Sequence, residues 1–106
     1  MIDITNTAGA TIFADINKHA MLDIPTVATT DQKGKKYHVL SVGMHRSGKA
    51  LVTVKKNGKA IAYQLPKGKL EEWAVHSIRM ARQGYNAFPT EIEFGQLPTG
   101  YYAEII

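Results

Sequence analysis

Asn57-Gly58 stands between two runs whose apolar residues alternate, "ALVTVKK" (50–56) and "KAIAYQL" (59–65). No other pair of residues constrains the chain as tightly. Two-residue connections between antiparallel strands favour the type I′ turn, which needs positive φ at both central positions, and Asn-Gly tolerates that geometry best. A third run of strand length, "KYHVLSVGMH" (36–45), comes before them and is joined to the first by "RSGK". The three runs read as an antiparallel meander. Simple alternation puts Tyr37 on one face with Val39, Ser41 and His45, and it points His38 and His45, seven residues apart, to opposite faces.

After Pro66 the period changes. In "KLEEWAVHSIRMARQG" (69–84), Leu70, Trp73, Ala74, Ser77, Ile78 and Ala81 fall on one helical face. Glu71 and Glu72 lie in the first turn, Arg79 and Arg82 near the end and Gly84 just beyond, as the helix dipole and a glycine C-cap favour. Trp73 belongs to the apolar face and is expected in the core. "TEIEFGQ" (90–96) alternates again, Leu97-Pro98-Thr99-Gly100 turns, and "YYAEII" (101–106) closes as a strand. At the N-terminus, "MIDIT" and "ATIFADI" flank Asn6-Thr7-Ala8-Gly9 and suggest a hairpin. Residues 17–35 look irregular, with one helical turn near 18–22.

These elements define an α+β fold, an antiparallel β-meander with one amphipathic helix packed on the sheet. At 106 residues the chain is one domain's worth. Its parts are an acidic N-terminal hairpin and irregular segment (1–31), a basic meander (32–70), the helix (69–84) and a C-terminal hairpin (88–106). From residue 36 the order β-β-β-α-β-β is that of an OB-fold, an analogy of topology that carries no function by itself.

Charge is distributed unevenly. From Gln32 to Leu70 the chain has ten Lys and Arg residues and no acid, while the segments on either side each carry −3, which returns the total to +4. In a meander, "QKGKK" (32–36) and "KKNGK" (55–59) fall at one end, and "HRSGK" (45–49) and "PKGK" (66–69) at the other. A surface that tracks phosphates would look like this, with glycines allowing close backbone approach. The competing reading is a solvated surface whose lysines discourage edge aggregation. The phosphate reading assigns contacts to Lys33, Lys35, Lys36, Tyr37, His45, Arg46, Lys49, Lys55, Lys56, Lys59, Lys67 and Lys69, with Tyr37 as a base-stacking aromatic. Single strands fit better than a duplex read by sequence, because no helix carries a basic reading face.

Other chemistries find little footing. With no cysteine, disulfides and thiolate metal sites are excluded. His19, His38, His45 and His76 show no ligand spacing, so neither a metal nor another cofactor is expected. A ribonuclease using histidine and lysine lacks a local constellation. No apolar run approaches the roughly 18 residues of a membrane span, and "MIDITNTAGATIF" lacks a leader's basic segment and apolar core. A cytoplasmic, non-enzymatic nucleic-acid binder is the leading expectation. The alternative is a small inhibitor or accessory factor that docks its basic hairpins on an acidic protein, with proteins that handle nucleic acid among the candidates. An open strand edge would also allow a homodimer.

"GMHRSGK" (43–49) has the spacing of a phosphate-binding P-loop, which requires a helix after the loop and a Ser or Thr after the lysine. Here a β-branched strand follows and Ala50 takes the hydroxyl's place, so the stretch is read as a basic hairpin tip. Titration with a fluorescent ATP or GTP analogue and magnesium should show no saturable binding. Micromolar affinity abolished in Lys49→Ala would contradict the hairpin reading.

Overall fold

The computed structural model describes Asp3–Ile4, residues 9–27 and residues 34–106. Strands β1 (Asp3–Ile4), β2 (Lys35–Met44), β3 (Ala50–Lys56), β4 (Lys59–Gln64), β5 (Thr90–Leu97) and β6 (Gly100–Ile105) form one antiparallel sheet, and helix α1 (Lys69–Arg82) lies between β4 and β5 in sequence. The sheet runs β4-β3-β2-β5-β6. On the long central strand, β3 occupies one edge, while β5 pairs with Lys35–Val39 and β1 with Gly43 and Met44 along the other. The α+β meander, the helix and the C-terminal hairpin therefore form at the boundaries the sequence indicates, to within two residues.

The β3–β4 turn has the required geometry, with φ +52° at Asn57 and +77° at Gly58. Helix α1 is capped by Gly68, whose amide donates to the Glu71 carboxylate (3.1 Å), and stops before Gly84 at φ +92°. Leu70, Ala74 and Ile78 are buried along its inner face. No helix among the described residues is long and apolar enough to cross a membrane.

Alternation fails at one point. The β2–β3 register shifts between Val39 and Ser41, so Leu40 is an extra residue in the central strand. A bulge of this kind exchanges the faces of every later side chain. Tyr37, Val39, Val42 and Met44 consequently share the helix-covered face with Val52, Val54, Ile92 and Phe94. Ser41, Gly43 and His45 lie on the other face, which is also where His38 pairs with Glu91. Both sequence-based face assignments for His45 are thereby corrected. It is opposite Tyr37, and it is on the same face as His38.

That second face is buried as well. Ser41, Leu51, Thr53 and Ala62 are almost inaccessible, although simple alternation would leave such positions in water. The N-terminal segment covers them. Of the expected N-terminal hairpin, the turn at Asn6, Thr7 and Ala8 lies outside the described residues. Asp3–Ile4 pairs with β2, and residues 11–13 belong to no strand. The helical turn falls at Ile16–Lys18, ahead of the expected 18–22, because the Asp15 carboxylate caps it by accepting from the Asn17 amide (3.0 Å). The chain then crosses the open end of the sheet. Leu22 donates to Gln64 O and Gln64 to Ala20 O at the end of β4, and Val27 donates to Gln96 O and Gln96 to Pro25 O at the end of β5.

Trp73 is half-buried and meets Phe88 and Phe94 edge-on, with ring centroids 6.1 and 5.6 Å apart. Truncating a buried aromatic costs about 3–5 kcal/mol, and partial burial puts Trp73→Ala near the lower figure of about 3 kcal/mol. Chemical denaturation should show a clearly lowered midpoint, and an unchanged midpoint would contradict this packing.

Candidate functional site

The twelve candidate positions separate into groups that the linear sequence does not reveal. Lys33 lies outside the described residues. Lys35 and Lys36 begin the central strand and face acids brought in by other elements. Lys35 Nζ is 3.2 Å from the Asp23 carboxylate, and that hydrogen bond holds its ammonium pKa above the ordinary lysine value. Lys36 stands across from Glu93 in the β2–β5 register, beside the His38–Glu91 pair at 3.0 Å. Glu93 in turn opposes Glu104 on β6 and accepts from the Tyr102 hydroxyl (2.8 Å). Around β2, β5 and β6 the second face is thus mixed in charge, because the acidic C-terminal hairpin folds directly against the first basic strand.

Tyr37 is half-buried and tethered. Its hydroxyl donates to the Asp23 carbonyl (2.5 Å), its ring meets Phe94 edge-on, and Lys35 Nζ lies 5.3 Å from the ring centroid. Burial pushes its phenol pKa above the ordinary tyrosine value. His45 is buried, being only 4% exposed. The Ser47 amide donates to its Nδ1 (3.1 Å), so that nitrogen is an acceptor, and its Nε2–H donates to the Phe13 carbonyl (3.0 Å). With both ring nitrogens engaged inside the fold, His45 pins the N-terminal segment.

His19 does the same work from the other side, and nothing in its sequence neighbourhood announces it. The Phe13 amide donates to its Nε2 (3.0 Å), its Nδ1–H donates to the Ala62 carbonyl (3.2 Å), and its own carbonyl accepts from the Gln64 side chain (2.7 Å). The two buried histidines therefore hold Phe13 through its amide and its carbonyl.

The remaining bases form two groups at opposite ends of the meander, all of them exposed except the half-buried Lys49. Lys55, Lys56 and Lys59 surround the Asn57-Gly58 turn, with Lys56 and Lys59 directly paired across it. All three are exposed, and among the described residues none is in an ion pair. At the far end Arg46 and Lys49 flank the Gly48 turn, and Lys67 and Lys69 precede and begin α1. That second group is looser. Lys69 lies along Gly100, where an added Cβ would come within 3.4 Å of its side chain, and Glu71 and Glu72 follow in the first turn of the helix.

The described surface also carries concavities. A cavity of about 220 Å³ between α1 and the residues after it is lined by Trp73, Ser77, Met80, Tyr85, Phe88 and Ile105. A second, of about 280 Å³, follows the outer edge of β4 and is bounded by Phe13, Lys18, His19 and residues 60–63. Comparison with protein-family models, with curated proteins and with solved structures finds no match for this chain.

Proposed function

We propose that this protein binds single-stranded DNA or RNA, without catalysing a reaction, through the basic end of the meander around Asn57-Gly58. One observation carries the reading. Lys56 and Lys59 are cross-strand neighbours with Lys55 adjacent, and among the described residues no carboxylate forms an ion pair with them. Like charges directly opposite each other on a sheet are destabilising. An anionic ligand such as a phosphate backbone removes that repulsion and releases its own counterions on binding. The turn makes the site compact, since positive φ at Asn57 and Gly58 folds three ammonium groups around one two-residue connection. A purely binding role agrees with the state of His19 and His45, whose ring nitrogens are occupied by internal hydrogen bonds and so do not serve as an acid–base pair.

A second reading is favoured by the apolar cleft. Tyr85, Ile105 and Ile106 are largely exposed, and the first two border the Trp73 cavity. An inhibitor or accessory factor docking its basic hairpins on an acidic protein would combine such a cleft with charged surroundings, as protein interfaces do.

Replacing Lys55, Lys56 and Lys59 together with glutamine should leave the melting temperature nearly unchanged, because exposed charges contribute little to stability. Binding to single-stranded oligonucleotides should weaken for every sequence alike. The slope of log affinity against log salt should fall by up to about 2, at roughly 0.7 for each phosphate that is no longer neutralised. Fluorescence anisotropy across a salt series measures both quantities. Absence of wild-type binding at about 50 mM salt would remove the nucleic-acid reading and leave the protein-docking one.

A further inference from the structure

Building on the nucleic-acid reading, we infer that the groove along the outer edge of β4 is a base-stacking subsite, with Phe13 as its platform and Lys18 and Lys59 as flanking phosphate contacts. Phe13 is 42% exposed, uncommon for a phenylalanine whose backbone is so firmly held. Its amide is bonded to His19 and its carbonyl to His45, so the ring is presented from a fixed point and does not ride on a free loop. A ring positioned before binding loses little conformational freedom on complex formation, which is what a stacking platform requires.

The surroundings suit a nucleotide. Lys18 Nζ lies 5.7 Å from the Phe13 ring centroid, a cation–π distance, and stays within reach of a phosphate attached to a base on the exposed part of the ring. Asp15, the nearby acid, is turned back onto the Asn17 amide at 3.0 Å. The groove's other wall is residues 60–63, an edge of the sheet. Gln64 uses its outward-facing amide and carbonyl to bond Ala20 and Leu22, so strand alternation directs the amide of Ala60 toward the same edge, where it can donate to a base or phosphate. The groove reaches Ala60, the next residue after Lys59, and is thereby continuous with the lysine cluster at Asn57-Gly58. At about 280 Å³ it has room for a single base rather than a folded partner.

The test compares wild type with Phe13→Ala, Phe13→Leu and Phe13→Tyr, using a labelled thymidine oligomer of about 12 nucleotides and, as a ligand without bases, inorganic polyphosphate. Circular dichroism and melting temperature check that each variant folds. Removal of one stacked base predicts that Phe13→Ala and Phe13→Leu bind the oligomer about tenfold more weakly, while Phe13→Tyr keeps wild-type affinity. Polyphosphate affinity should be the same for all four proteins, and the salt slope should not change. A 2-aminopurine placed in the oligomer should be quenched by wild type and Phe13→Tyr only. Wild-type affinity in the Ala and Leu variants would overturn the subsite and leave the lysine surface standing. An equal drop in polyphosphate affinity would also overturn it, by showing that Phe13 only supports the surrounding fold. No oligomer binding by wild type at about 50 mM salt would overturn the nucleic-acid reading and this subsite together.

Discussion

The extra residue at Leu40 decides which face each side chain of the central strand occupies, and much of the architecture follows from that exchange. Before the bulge, Tyr37 and Val39 face α1. After it, Val42 and Met44 do, while Ser41, Gly43 and His45 turn to the opposite side. A strand without the bulge would place Ser41 and His45 in the main core and point Val42 away from it. The second face must then be covered, since Leu51 and Thr53 are as inaccessible there as the core valines are on the first. The N-terminal segment supplies the cover, anchored by His45 and His19 and then by the backbone bonds at Gln64 and Gln96.

Topology reshapes the electrostatics. The basic block is uniform in sequence, yet its two halves meet different neighbours. The central strand shares an edge with β5 and so brings Lys35 and Lys36 beside Asp23, Glu91 and Glu93. Strands β3 and β4 lie on the other side of the central strand and carry no acid. The concentration of positive charge at Lys55, Lys56 and Lys59 results from where the strands sit as well as from composition. An anion approaching this end of the sheet meets lysines that, among the described residues, are in no ion pair.

What could be read in advance was local in origin. The Asn57-Gly58 hairpin, the helix ending before Gly84 and the Leu97–Gly100 turn each depend on residues adjacent in sequence, and each forms where expected. The bulge was not legible, since Val39-Leu40-Ser41-Val42 alternates acceptably in either phase and only the match to β3 selects one. The N-terminal cover was obscure for a related reason. Its anchors are side chain to backbone bonds that join Phe13 to His45 and His19 to Ala62 across 32 and 43 residues, and no spacing rule reports such contacts. Among candidate contacts, exposed lysines at turns were recognisable from their neighbours, whereas the burial of His45 and the tethering of Tyr37 to Asp23 were settled by tertiary structure. Phe13 gave no signal at all, because an aromatic residue in an apolar run ordinarily belongs to the core.

The central claim is that the basic end of the sheet around Asn57-Gly58 is where this protein meets nucleic acid. Mapping backbone amide chemical shifts of the isotope-labelled protein during titration with a short single-stranded oligonucleotide tests it most directly. Saturable shifts should concentrate at residues 55–62 and 13–19, with the Trp73 cleft and the Arg46–Lys49 turn nearly unmoved. Shifts confined to that cleft or to the Arg46–Lys49 end, or no shifts at low salt, would contradict it.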